Sequence, residues 1–423
     1  MKRIESIRNA LWGMPTLALL LVFGVYFSLK SGFYRPRALL STAKGLIGSL
    51  NKEKSNGVSP IAAVATALGG TVGVGSIIGV GYALSVGGAG SIFWMWICSF
   101  LGMGLKYAEV KIALNGRKSA GGITSGGAPY RLGALGYPKI ACFFCIACLL
   151  ASFCAGNITQ TGAVALSLRG IGVNGATSGI ICFCAVALAV FGGRKRIAAV
   201  NSLLVPAASL LYLLACVFIL IINHRGIIHS FGSIFREAFG FDSLYGGFSG
   251  ALLAHTLREG FARSLFSNEA GMGSSPLAHA TAETEENEIQ ARWGIFEVFF
   301  DSFVVSTLTA LCLLSCGDAG VSDMFGRAFG GIGVYGFALL TAVFAFASVI
   351  SWCYYAECCI AYAFPNGKFV FFLYRACFAL CSLLGVFISG EAAFAVADIF
   401  NALMMFPNLF LLFLCRGEIE RME

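Results

Sequence analysis

Charge is scarce in this chain. Asp, Glu, Lys and Arg together make up 12% of 423 residues, about half the share of a soluble globular domain. The formal charge is +8, yet no basic face goes with it: Lys and Arg lie in short loops between apolar runs, which excludes a nucleic-acid partner. No nucleophile–base pair and no metal-ligating cluster sits near the middle of any apolar run, which excludes the common membrane-enzyme chemistries. Low-complexity tails and a soluble domain are absent, and the segment after Cys415 is too short for the output domain of a receptor or sensor. No small-residue cleavage site follows the first apolar run, Met14 to Phe33, so that run reads as a retained span rather than a signal peptide.

What is abundant is apolar surface. The hydrophobic share is 58% and the mean hydropathy is +0.82, the composition of an all-α polytopic membrane protein. Sixteen cysteines lie almost wholly inside apolar runs. Cys142, Cys145 and Cys148 form two Cys-x-x-Cys spacings on one helical face and read as small packing residues rather than a metal or redox site. A spanning helix needs about 20 mostly apolar residues. That rule predicts eleven spans, near 14–33, 59–85, 90–114, 139–167, 175–191, 197–223, 247–281, 290–315, 331–363, 368–388 and 391–415. Basic residues such as Arg35, Arg37, Lys44, Arg117, Lys118, Arg194, Lys195 and Arg416 collect in alternate loops, which places the N-terminus outside and the C-terminus in the cytoplasm. The glycine-rich stretch between Leu114 and Pro138 is expected to be an inner re-entrant or interfacial loop, residues Phe231 to Phe239 a short outer surface helix, and Glu283, Glu285, Glu286 and Glu288 a solvated acidic loop.

Two spans are interrupted. The second carries Gly69, Gly70, Gly73, Gly75 and Gly79 at its centre. Glycine costs a helix interior roughly 1 kcal/mol relative to alanine, so the cluster predicts an unwound segment. Close packing by small residues explains Gly69, Gly70 and Gly79 but not the run Gly70-Thr-Val-Gly-Val-Gly. A dinucleotide fingerprint fails, because its third glycine would fall on Ile78. The seventh span carries Ser267, Asn268, Glu269, Ser274 and Ser275 at mid-membrane. Without the first span, ten remain as five and five, at 59–223 and 247–415. Five is odd, so the halves run in opposite directions, each led by an interrupted helix. Broken helices in corresponding positions of inverted halves point to a transport site, with bared amides for an anion and bared carbonyls for a cation.

Polar side chains in the other spans supply further candidates. Asn157 and Gln160 share a helical face, as substrate contacts or as an interhelical hydrogen bond. Ser348 and Trp352, one turn apart, suit a hard cation and a small polar ligand, or plain packing. Glu269 reads as a gate ion pair with an arginine such as Arg263, and Ser267 and Asn268 as better substrate contacts. Asp301 and Asp398 read as helix-pairing acids, and His255 and His279 as ordinary hydrogen bonders.

The chain resembles the alanine or glycine:cation symporter family. The likeness lies in Gly70-Thr-Val-Gly-Val-Gly-Ser-Ile-Ile-Gly-Val, Phe93-Trp-Met-Trp, Lys106-Tyr-Ala-Glu, Gly156-Asn with Gln160, Phe266-Ser-Asn-Glu-Ala-Gly-Met-Gly-Ser, Pro276 with Ala278-His-Ala, and Phe344-Ala-Phe with Trp352 and Tyr354-Tyr. The resemblance implies an eleven-helix inner-membrane protein with the leucine-transporter fold: a 5+5 inverted repeat preceded by one extra helix at 14–33. It implies import of L- or D-alanine or glycine by alternating access, driven by sodium, with lipid as the surroundings. Carried over by position, Thr71, Gly73 and Gly75 would present backbone to the substrate carboxylate. Gln160, Ser267 and Asn268 would meet its polar end, and Phe261, Phe266 and Trp352 would wall its side chain. The carbonyls of Gly69 and Val72 with Ser348 would hold sodium. Ser76 stands where the family usually has Asn, and Ala347 where a hydroxyl often precedes the matched serine; the lost oxygen bears on sodium affinity or on the choice of coupling ion. Proton coupling, amino-acid exchange and a non-transporting sensor are the competing readings.

Overall fold

A computed structural model describes residues 2–50, 57–120, 123–239, 249–317, 320–388 and 390–422. The chain is helical almost throughout. Before the first interruption come α1 (Lys2–Leu11), α2 (Met14–Ser31) and α3 (Pro36–Leu50). The first broken span is α4 (Pro60–Thr71) and α5 (Val74–Gly87), followed by α6 (Gly90–Asn115), a small hairpin of β1 (Lys118–Ala120) and β2 (Ile123–Ser125), and α7 (Ala128–Ala134). Next are α8 (Pro138–Ala151) and α9 (Thr159–Arg169) joined through a π-helical turn, then α10 (Gly175–Val190), α11 (Gly193–Ile222) and α12 (His224–Ala238). The second broken span is α13 (Ser249–Asn268) and α14 (Pro276–His279). It leads to α15 (Asn287–Val298) and α16 (Thr307–Cys316), again joined by a π turn, and then α17 (Val321–Phe329), α18 (Gly331–Ala363), α19 (Lys368–Cys381) and α20 (Gly390–Leu414).

Each expected span falls on helix, but among the described residues seven helices are long and apolar enough to cross a membrane. The shortfall from eleven has local causes. Lys106, Glu109 and Lys111 put three charges into α6, the second break shortens α14 to one turn, α10 is a shorter apolar helix, and α19 has 14 residues. Burial separates centre from rim. In the most apolar stretch of the broken helix Pro60–Gly87, 78% of the residues are buried, against 28% in Arg3–Ser31 and 33% in Gly193–Ile222. The glycine-broken helix therefore runs through the middle, flanked by α11 and α18, while α13 packs on α5 and α6.

Local chemistry sets the element ends. Ser59 accepts the Ala62 amide at 3.2 Å, and Pro60 occupies the first turn of α4, the residue pair that starts a helix. Val58 pairs with Ala282 in an isolated parallel bridge, and the Glu283 amide donates to the Val58 carbonyl at 2.9 Å, so the start of the first broken span is joined to the end of the second.

Several expectations are revised. The basic loop after the first span folds in large part as α3, docked by the Trp293 indole donating to Ser49 (3.1 Å). The surface helix expected at 231–239 begins earlier, as α12. The acidic loop is not simply solvated: Glu283 accepts the Gly57 amide at 2.9 Å, and Glu288 binds Lys111 at 3.0 Å. The side chain of His255 lies outside the described residues.

Candidate functional site

The first break is a two-residue unwinding. The amide of Val72 still closes onto the Leu68 carbonyl (2.7 Å), but that of Gly73 turns back to Thr71 (2.9 Å) instead of continuing the helix onto Gly69. The Gly69 carbonyl is thereby released, and Val72 leaves helical geometry with ψ of 82°. Helix α5 restarts at Val74 behind Gly73, which offers no side-chain cap. The first amides of α5 are left as donors at the positive end of its dipole.

The second break is longer. Glu269 has a positive φ of 52°, as do Gly271 (91°) and Gly273 (76°), a left-handed backbone that favours glycine and costs other residues about 1–2 kcal/mol. Glu109 of α6 holds the segment open. Its carboxylate accepts the amides of Gly271 (3.0 Å) and Gly273 (2.9 Å) and the Asn408 carboxamide (2.5 Å). Below it, Lys106 donates to Ser275 at 2.7 Å and faces Glu297 at 3.5 Å, and Glu297 meets His279 at 3.0 Å, all with buried side chains. His279 is the hydrogen bonder expected.

The two breaks touch. Ser76 and Ser267 lie 3.0 Å apart, and both donate to Asp301, Ser267 at 2.7 Å. Asp301 does pair helices, and the helices it pairs are the two interrupted ones. The N-terminal end of α5 therefore sits beside the C-terminal end of α13, a positive dipole end next to a negative one, which suits a zwitterion.

A small cavity of about 20 Å³ opens at this junction, lined by Gly70, Thr71, Gly73, Gly75, Ala155, Gln160, Phe266, Glu269, Trp352 and Asn401. That is room for little more than one water, so only a compact ligand enters without large rearrangement. Gly156, in the π turn, admits Trp352: a Cβ there would collide with the Trp352 side chain. Six expected substrate residues are brought together here: Thr71, Gly73, Gly75, Gln160, Phe266 and Trp352.

Three are not. Phe261 faces away, 6.1 Å from Trp94, and lines an apolar gap with Leu17 and Leu20. Five residues on a helix turn the side chain by roughly 140°, so Phe261 and Phe266 cannot share a wall. Ser267 spends its hydroxyl on Asp301 and Ser76. Asn268 caps its own helix end, accepting the Ala270 amide at 3.0 Å and donating to Ser264 at 3.1 Å. Glu269 reverses the expectation in the other direction. It lines the cavity and accepts from Ser274 at 2.5 Å, while Arg263 pairs with Glu259 (3.9 Å) and stacks over Tyr82 (4.6 Å). The expected Glu269–Arg263 pair is not made, because Glu269 lies past the end of the helix that carries Arg263. Phe266 lines a second cavity as well, of about 60 Å³, with Arg8, Trp12, Arg258, Arg263 and Asp398. One ring thus partitions the two. Asn157 is structural: it donates to the Phe378 carbonyl (2.6 Å) and accepts from Ser382 (3.1 Å).

On the far side of the first break, the Ser348 hydroxyl lies 3.4 Å from the Gly70 carbonyl. The Ala347 carbonyl lies 3.4 Å from where a Cβ on Gly69 would stand. Bared carbonyls beside a serine make an all-oxygen donor set of the kind a hard monovalent cation takes. Asn401 and the Gly70 carbonyl had no signal in the sequence: a lone amide in an apolar span looks like any helix-pairing polar residue.

Comparison with known proteins identifies the family and the fold. The sodium:alanine symporter family profile matches residues 1–422. The sodium/alanine symporter AgcS of Methanococcus maripaludis is 34% identical over 98% of this chain and 95% of its own length. A protein named as the probable sodium/glutamine symporter GlnT of Bacillus subtilis is 31% identical over 98% of this chain and 88% of its own. The crystal structure of MhsT in complex with L-phenylalanine superposes with a TM-score of 0.61 at 14% identity, covering 86% of this chain and 90% of that one, which places the chain in the leucine-transporter fold. It belongs to the sodium:alanine symporter family, and is a cation-coupled amino-acid transporter rather than an enzyme.

Proposed function

We propose that this chain imports alanine or glycine together with sodium by alternating access. The observation that carries the reading is the meeting of two broken helices around one small cavity. The first amides of α5, around Gly73 and Gly75, receive the substrate carboxylate. The carbonyls of Gly69 and Val72 with Ser348 hold sodium, and Phe266 and Trp352 wall a side chain no larger than a methyl group. Sodium orders the unwound segment that the carboxylate also needs, so each ligand lowers the ordering cost of the other. The halves are residues 59–223 and 247–415, behind the additional helix at 14–33. The protein lies in the plasma membrane of a prokaryote, its N-terminus outside and its C-terminus in the cytoplasm.

Uptake of labelled alanine into proteoliposomes tests the reading. Accumulation under an inward sodium gradient, and not without it, is expected. Accumulation under a proton gradient alone would make the coupling ion a proton. Uptake only against preloaded amino acid would make the protein an exchanger, and binding without any uptake would make it a sensor.

A further inference from the structure

Among the described residues, two polar atoms at the central cavity have no partner. The side-chain oxygens of Gln160 and Asn401 are fully buried and make no hydrogen bond, while both residues line the same cavity. Gln160 is 6% exposed and Asn401 2%. A buried acceptor left unsatisfied costs free energy comparable to a lost hydrogen bond, so a position that keeps two of them is built for a donor that arrives from outside. The cavity offers a third acceptor in Glu269, whose carboxylate has one oxygen bound to Ser274. Three acceptors around one small space match the three N–H groups of a primary ammonium.

We propose that Asn401 of α20, with Gln160, receives the α-ammonium group of the substrate and imposes a demand for a primary amine. The inference rests on the transport reading above and deepens it. The carboxylate then lies on the amides of α5 and the ammonium among Gln160, Glu269 and Asn401, with the Gln160 oxygen bridging toward Gly73, 3.5 Å from where a Cβ on that glycine would stand. Helix α20 becomes a substrate-reading element, although neither broken helix belongs to it.

The test compares binding of L-alanine, N-methyl-L-alanine and N,N-dimethyl-L-alanine to the purified full chain in saturating sodium. In the unaltered protein, affinity is expected to fall with each methyl group, because each removes one N–H. Asn401→Leu, close in shape but without the acceptor, is expected to lose roughly 10- to 150-fold in alanine affinity, the range for a hydrogen bond to a charged group. The penalty for the first N-methyl group should shrink in the same variant. Equal losses for alanine and the dimethyl compound, or unchanged alanine affinity, would overturn the proposal. Should the variant fail to fold, the unaltered protein still decides: equal binding of all three amines defeats the idea. Absence of sodium-driven alanine uptake by the unaltered protein would instead defeat the transport reading, so the two failures are distinct.

Discussion

At the scale of single residues, the site depends on close approach. Gly70 lies under Tyr355, whose phenol donates to the Ala67 carbonyl at 3.3 Å and ties down the last turns of α4. A Cβ on Gly70 would collide with that phenol oxygen. Gly70→Ala is expected to cost about 1–3 kcal/mol of stability, the usual range for overpacking. Because the closest clash is with the oxygen, ahead of the ring carbon that bears it, Tyr355→Phe in the same chain should return part of the loss in thermal unfolding. Trp352→Ala should weaken alanine binding roughly tenfold or more while sodium still raises the melting temperature; unchanged affinity would remove Trp352 from the wall. Ser348→Ala should raise the sodium concentration for half-maximal uptake, again by roughly tenfold if the hydroxyl is a direct ligand. No shift would move the cation elsewhere.

At the scale of elements, the open backbone at 269–275 is held by α6 rather than by its own residues. Glu109 accepts three donors, from Gly271, Gly273 and Asn408. Glu109→Gln replaces an acceptor oxygen by an NH₂ facing donors, and is expected to destabilise the protein by about 1–3 kcal/mol and to slow uptake by loosening the loop. A variant with wild-type melting and transport would show that the loop keeps its shape unaided. The element-level reading from sequence succeeded where periodicity and glycine density are local signals: the breaks at Gly73 and Glu269 are visible as composition. Phe261, assigned to the wall by the family resemblance alone, lies on another face of α13 from Phe266 by ordinary helical rotation. The π turns at Ser152–Ile158 and Phe299–Ser306 were also not visible, since inserting one residue into a helical turn leaves no compositional mark.

At the scale of the whole molecule, contacts far apart in sequence tie α7 and the end of α6 to the segment that follows α20. Arg131 of α7 pairs with Glu418, and Asn115 donates to the same carboxylate at 3.1 Å. Burial alone would raise the Glu418 carboxyl, but the hydrogen bonds from Asn115 and Arg131 outweigh it and hold it below the ordinary carboxylate value. A depressed value stabilises the fold above the unfolded-state value of about 4.5, and that stabilisation is lost as pH falls through the folded value. Wild type should therefore melt higher than Glu418→Gln at neutral pH, with the gap closing as the pH falls below the ordinary carboxylate value of 4.5 and through the folded one. A gap independent of pH would exclude an ionic contribution.

The membrane class, the two interruptions and the small-residue, oxygen-rich character of the site follow from residue order, because hydropathy and glycine content act over one or two helical turns and need no partner. Which polar groups face the cavity does not follow from order. Ser267 and Asn268 were the stronger candidates by position, yet Asp301, Ser264 and the helix end consume them, while Glu269 and Asn401 are left toward the open space. A buried polar group goes to whichever partner packing brings within about 3 Å. At this junction the partners come from α6, the π turn at 299–306 and α20, which meet the broken helices only once the chain has folded.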